Sequence, residues 1–294
     1  MKAKMDVENR NEKYSREDLE SFVNGIISAS KSMRYIHSRS QKTLQEIDNP
    51  YYVVNLHGSL PLFDVLTIVD QDIDVDRAVY FPGSSRIQNS SDILRYCFEN
   101  FLWEKQYETD KTSPLFSIDE VVGGHSVERV VNAYNSAIRR IATQNLRGTE
   151  RRKRDIEEVS FDLKQQFPLY IFGIRDLARF RNRIKNRENM NKRYLELSNP
   201  RNENRVIYEF PVKKIITMDD PDFELIEFKH PTSSGWKPSS GYYPKIDSLK
   251  FSHYYMDLLH DIARIVGVNP ETVDPSRARI RTHCERYSKK PAYN

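Results

Sequence analysis

The sequence predicts an α/β fold: a largely parallel, twisted sheet flanked by helices, with helical N-terminal and C-terminal additions. Three observations lead there. Short apolar runs rich in Val, Ile, Tyr and Phe begin at Tyr52, Ala78, Leu115 and Phe167 and break at turn or polar residues. Segments with helical spacing separate them, and strands alternating with helices at such intervals imply βαβ units. Three of the runs also end in polar groups, Asn55-Leu56-His57-Gly58, Asp119-Glu120 and Arg175-Asp176. A parallel sheet binds its ligands at the carboxyl ends of its strands, so these groups share the edge where a site is expected.

The first thirteen residues are polar and read as unstructured. Ser15-Arg16-Glu17-Asp18 resembles a capping box, and Leu19, Phe22, Ile26 and Ile27 follow at helical spacing. A second helical run near Met33 to Ile47 leads to a break at Asn49-Pro50. This helical start either packs as a hood over the sheet or offers a partner surface. The strand Tyr52–Leu56 precedes a helix from about Leu60 to Val69. Ala78–Phe81 is a strand stopped by Pro82-Gly83, and Ser84-Ser85-Arg86 after it is either loop or phosphate contact. Ser90 and Ser91 open a helix through Trp103, with Ile93, Leu94, Cys97, Phe98 and Phe101 on one core stripe. Polar residues 104–113 lead to the Leu115 strand, and 127–165 is helical. Phe167–Asp176 is a buried strand with a polar end, and 206–217 is β-rich. The acidic Met218–Asp222 turn, a turn-rich linker 231–244 carrying Trp236, Tyr242 and Tyr243, and an amphipathic helix 248–266 follow. Gly267 and Pro270 close that helix in C-cap order. The organisation reads as 1–48 helical extension, 49–230 α/β core, and 231–294 linker and helical extension.

The 294 residues are 38% hydrophobic and 30% charged, which fits a soluble globular chain. No apolar stretch approaches a membrane span, and the polar, acid-bearing N-terminus is unlike a targeting segment. Cys97 and Cys284 are the only cysteines, so a reducing cytoplasm is expected and a disulfide framework is not. The net charge of +4 is unevenly spread. Segment 139–154 carries seven Lys/Arg against one Glu, and 175–193 carries eight against two acids. Arg277, Arg279, Arg281, Arg286, Lys289 and Lys290 form a third basic group, and Asp64, Asp70, Asp72, Asp74 and Asp76 an opposing acidic one. Such asymmetry serves either a polyanion, with a nucleic acid or protein partner along 139–154 and 175–193, or ordinary solvated helix faces. A homo-oligomer is compatible with the same composition.

The chemistry concentrates in Leu115–Ser126, a strand meeting adjacent Asp119 and Glu120, then Gly123-Gly124-His125-Ser126 before a helix. Amides at such a turn and helix start attract anions. Paired acids suit sugar hydroxyls and a hard divalent cation. The plainer reading is an ordinary βα turn with Ser126 as helix cap. His125 reads as an exposed loop residue before an acid–base group, and Cys97 as core. Nothing in the chain has a Ser/His/Asp pattern, zinc spacing, a Walker loop or a dinucleotide glycine fingerprint.

Together with Tyr51–Leu66, this segment resembles the type I phosphoribosyltransferase family, most closely its purine-salvage branch. There a strand ending in Leu-Lys-Gly forms a pyrophosphate loop, and a later strand ending in two acids and a Gly-x-Thr/Ser turn binds phosphoribosyl pyrophosphate (PRPP). The counterparts are Leu56-His57-Gly58 and Asp119-Glu120…Gly124-His125-Ser126, in the same order, and the resemblance spans 51–223. The acid-to-hydroxyl spacing is one residue short, His57 stands where lysine is common, and the position some purine enzymes use as a general base falls on Val122.

The resemblance implies that PRPP binds with Mg²⁺ and that a nitrogenous acceptor displaces pyrophosphate. Asp119 and Glu120 would hold ribose hydroxyls and the metal, directly or through water. Gly123, Gly124, His125 and Ser126 would hold the 5′-phosphate; Leu56, His57, Gly58 and Arg86 would hold pyrophosphate. It also implies a loop near 104–113 that closes over the site, and base recognition by the late strand and Met218–Asp222. The alternative is a PRPP or nucleotide sensor, or an effector subunit akin to phosphoribosyltransferase-like proteins of bacterial defence operons.

Overall fold

The computed structural model describes residues 14–43, 46–56, 58–83, 90–121, 124–147, 153–178, 192–200, 205–216, 226–229, 245–249, 253–273, 278–288 and 290–291. His57, Arg86, Val122, Gly123, the Met218–Asp222 turn, Trp236, Tyr242, Tyr243 and much of the two basic segments lie outside them. Five strands, β1 (Tyr51–Asn55), β2 (Ala78–Phe81), β3 (Leu115–Val121), β4 (Leu169–Asp176) and β5 (Ile207–Val212), form one sheet. Its order is β2-β1-β3-β4-β5 and every pairing is parallel. A separate antiparallel pair, β6 (Ile226–Lys229) and β7 (Lys245–Leu249), lies outside that sheet.

A parallel sheet needs apolar cover on both faces, and each face here has its own core. On one face α1 (Arg16–Thr43), α2 (Ser59–Val69) and α7 (His253–Val266) pack over Tyr52, Val54, Phe116, Ile118, Phe172 and Ile174. On the other, α3 (Ser90–Lys105), α4 (His125–Asn145), α5 (Lys153–Gln166) and the short α6 (Lys192–Ser198) cover Val53, Phe81, Leu115, Val121, Ile171 and Ile207. The N-terminal helix therefore packs as a hood over the sheet. It is one continuous 28-residue helix, with no break near Met33. The helical region 127–165 resolves into α4 and α5. The helix expected over 248–266 begins only at His253, because Lys245–Leu249 pairs as β7. Gly267 follows α7 at φ +79°, a left-handed helix stop. Among the described residues, no helix is long and apolar enough to cross a membrane.

The acidic cluster is mostly structural. Asp64 is buried and accepts a hydrogen bond from Tyr255 of α7. Asp70 accepts from Ser30 and Arg34 of α1, and Arg34 also reaches Asp72 at 2.8 Å. Asp74 accepts from the Asp76 amide at 2.9 Å and starts a short turn into β2. Asp64, Asp70 and Asp72 thus pin α1, α2 and α7 together.

Helix α8 (Ala278–Tyr287) closes the β2 side of the sheet. Cys284 donates its thiol toward the Tyr80 carbonyl, His283 stacks on Tyr80, and Tyr287 meets Phe81 and Phe101 edge to face. Burial pushes the Cys97 and Cys284 thiols up, so both are inert core residues. Tyr287→Ala should cost about 3 kcal/mol of unfolding free energy, the usual loss for a buried aromatic. Urea titration measures it, and a loss well under 1 kcal/mol would show that α8 is only loosely attached.

Candidate functional site

Strand order places the site before any side chain is considered. The chain leaves β1 across one face through α2 to β2, and leaves β3 across the other through α4. Neighbouring strands whose connections depart to opposite faces open a crevice at their carboxyl ends, the topological switch point. In this protein that point falls between β1 and β3. The two strands pair only at Tyr51–Leu115 and Tyr52–Phe116 and then splay. By contrast, β3 keeps its register with β4 through Val121. Farther along, a side chain spans the gap: Asn55 Nδ2 donates to Ser117 Oγ at 3.2 Å.

The turn after β1 meets the paired acids at the end of β3 across this crevice. A Cβ added at Gly58 would stand 3.3 Å from Asp119 Oδ1 and 3.7 Å from Glu120 Cγ. Glycine is thus what lets the turn after β1 approach the paired acids after β3. Leu56 contributes less than its position implied. Its side chain is buried and its amide is already committed to the Phe81 carbonyl at 2.9 Å.

Two helices begin at the crevice, and neither has a side-chain cap. Gly58 is the N-cap of α2 and Gly124 that of α4, neither with a side-chain hydrogen bond to the first turn. The first-turn amides of both helices, Ser59 and Leu60 in α2 because Pro61 has none, are thus without a side-chain cap, and the positive ends of two helix dipoles lie at the carboxyl edge of the sheet. Ser126 was expected as the cap of α4. The helix instead starts two residues earlier, at His125, leaving Ser126 half-buried inside the first turn and His125 exposed. Gly124 itself is at φ +77°, where a glycine is needed.

The two acids differ in setting. Asp119 is 5% exposed, and burial pushes its carboxyl up from 3.8 to about 7, against the opposing pull of the Glu120 amide, Ser59 and Arg129. The Glu120 amide donates to Asp119 Oδ1 at 2.9 Å. Ser59 is close enough to favour the ionised form but falls short of a full hydrogen bond. Glu120, one residue on, faces the opposite side of the sheet and is half-buried. One acid is in the floor of the crevice and the other at its rim.

Unsatisfied polar atoms gather here as well. Among the described residues, Asn55 Oδ1 and Ser59 Oγ are buried without a hydrogen-bond partner, in side chains 6% and 0% exposed. Such atoms cost free energy unless a ligand or water completes them. Neither was singled out from sequence as a site residue. Asn55 lay in the right segment, but only the splay of β1 from β3 gives its amide a role.

Farther along the same edge, Arg175 Nη1 lies 3.4 Å from Glu209 Oε2, and Glu209 accepts from the Tyr194 hydroxyl. Asp176 is buried and accepts from the Ile215 amide at 3.0 Å, which fixes the turn after β5. Among the described residues, no group of three or more His, Cys, Asp or Glu could by itself hold a metal ion. Asp119 and Glu120 form a pair, too few donors to hold a cation without oxygens from a ligand or water.

No family model matches this chain, and comparisons with curated proteins and with solved structures return no match.

The buried Asp119 carboxyl has a measurable consequence. Between its ordinary value of 3.8 and about 7, the folded protein holds a proton that the unfolded chain has released. Stability from this group is therefore complete at low pH and falls as pH rises through that window, by up to about 4 kcal/mol. Asp119→Asn should gain stability over the natural protein between pH 4.5 and pH 8 in parallel urea titrations. A difference that does not change with pH would contradict the burial.

Proposed function

We propose that this protein binds PRPP with Mg²⁺ in the β1–β3 crevice and transfers its phosphoribosyl group to a nitrogenous acceptor, in the manner of the type I phosphoribosyltransferases it resembles. The observation that carries the reading is the approach of Gly58 to Asp119 and Glu120 at a switch point fed by two uncapped helix starts. The ligand this favours has anionic groups at both ends and hydroxyls between them. A sugar carrying a phosphate and a pyrophosphate has that form.

Each part of the ligand has a matching group. The α4 turn offers its amides and the Ser126 hydroxyl to the 5′-phosphate. The start of α2 offers amides to pyrophosphate, with His57 and Arg86 of the adjoining segments as charge partners. Glu120 and Asp119 accept from the ribose hydroxyls, and Asn55 Oδ1 is a further acceptor in the floor. Asp119 and Glu120 would also hold Mg²⁺, which when bound neutralises charge on the departing pyrophosphate. A positive charge or a hydroxyl donor beside Asp119 would restore its ionised form, so ligand and metal binding would be coupled to proton release.

In the reaction the anomeric carbon–oxygen bond breaks and its electron pair leaves with pyrophosphate. A carbon–nitrogen bond forms on the acceptor, which gives up a proton. Positioning and oriented amides would supply most of the acceleration.

A second reading, a PRPP or nucleotide sensor or effector subunit that retains the pocket without turnover, is favoured by Val122 at the expected general-base position and His57 in place of lysine. Release of pyrophosphate from PRPP across a panel of bases separates the two readings. For the pocket itself, Asp119→Asn combined with Glu120→Gln should abolish Mg²⁺-dependent PRPP binding in calorimetric titration while the circular dichroism spectrum is unchanged. Unaltered affinity in the double variant would place the ligand elsewhere, and steep salt-dependent affinity for RNA or DNA would move the function to the basic segments.

A further inference from the structure

The turn that opens α4 is braced from a distant part of the chain. Tyr194 lies in α6, seventy residues beyond Gly124, and its side chain is fully buried. A Cβ added at Gly124 would stand 2.6 Å from Tyr194 Cγ, 2.7 Å from Cδ2 and 2.9 Å from Cβ. The ring therefore lies flush against the glycine, at the one described residue of the turn with a left-handed backbone. At its other end the Tyr194 hydroxyl donates to Glu209 Oε1 on β5, and Glu209 Oε2 faces Arg175 Nη1 on β4 at 3.4 Å. Burial first, then the Glu209 charge, push the Tyr194 hydroxyl well above its usual range, so it stays a neutral donor.

We propose that Tyr194 is a positioning residue for the anion-binding turn, holding Gly124 in its left-handed conformation through a brace that runs to Glu209 and Arg175. The proposal rests on the reading of that turn as a phosphate site and adds what keeps it in shape. Amides at a turn bind an anion strongly only if they already converge before it arrives, since otherwise binding must order them. A glycine turn has little stiffness of its own, because glycine populates many backbone states. The Tyr194 ring removes those states sterically. The hydroxyl removes the freedom of the ring, since its partner is itself tied to the guanidinium on the neighbouring strand. The brace joins three strands, β3 through the turn, β4 through Arg175 near its end and β5 through Glu209 in its middle. A charge change at the β4–β5 end is therefore transmitted to the phosphate turn.

The experiment uses the full chain with Tyr194→Phe, which keeps the ring and removes the hydroxyl, and Tyr194→Leu, which removes both. Amide hydrogen exchange followed by mass spectrometry reads the start of α4 directly and needs no ligand. Exchange over 124–130 is expected to rise about tenfold in Tyr194→Phe and further in Tyr194→Leu, with 59–66 at the start of α2 unchanged. PRPP affinity with Mg²⁺, read by calorimetry, is expected to weaken five- to tenfold in Tyr194→Phe. Glu209→Gln, which keeps an acceptor but loses the charge, should give a smaller loss than Tyr194→Phe. Lower thermal stability with unchanged exchange over 124–130 would overturn the proposal and make Tyr194 a core residue only. A uniform rise in exchange along the chain would overturn it equally, since that reports general loosening. If the natural protein binds no PRPP, the functional reading falls by itself, and exchange over 124–130 still decides whether the brace exists.

Discussion

The divergence of β1 and β3 is the constraint on which the rest of this structure depends. Parallel strands need crossovers, and a sheet covered on both faces must somewhere send adjacent strands to opposite sides. At that place the connections part to opposite faces and leave a crevice, and here the backbone pairing also stops after two residue pairs. Asn55 and Ser117 close the base of the gap with a side-chain hydrogen bond, Gly58 narrows its mouth, and the two acids line it. The crevice follows from covering both faces of the sheet, and the polar groups in it are placed by that geometry.

Burial divides the labour between the acids. Along a strand successive side chains face opposite sides, so adjacency in sequence puts Asp119 and Glu120 in different surroundings. Asp119 is enclosed and holds its proton to near neutral pH, whereas Glu120 stays at the rim. Two acids in unlike environments need not both be charged, which spares the crevice the repulsion of adjacent carboxylates. The orphaned Asn55 Oδ1 and Ser59 Oγ add to the cost of leaving the crevice vacant. Tyr194 shows a related economy, since one ring both fills the core under α4 and excludes alternative conformations of Gly124.

Much of this was legible in the chain. The strands at Tyr51, Ala78 and Leu115 announce themselves by apolar runs ending in Gly, Pro or paired acids, and their carboxyl ends carry the residues that meet in space. Asn55, Ser59 and Tyr194 were not legible as site residues, because their importance comes from contacts across strands and from partners as far away as Glu209. The β7 strand was hidden for a different reason. Lys245–Leu249 carries only Ile246 and Leu249 as apolar residues, a weak pattern next to the strong helical spacing that begins at His253. The two helical runs read before Asn49-Pro50 are one helix over 16–43, a continuity that packing on the sheet and the Arg34–Asp70 pairing support.

The closures that complete the two faces join residues very far apart in the chain. Cys284 reaches Tyr80 across 204 positions, Lys213 reaches Ser21 across 192, and Tyr255 reaches Asp64 across 191. Contacts of that span carry a loop-closure cost before they return any stabilisation, and it is met by the docking of α1, α7 and α8. Helix α8 covers the β2 edge without pairing it, and an uncovered edge with an apolar face open to water is where chains aggregate. Covering that edge is therefore a second consequence of the α8 packing, beside its part in the core.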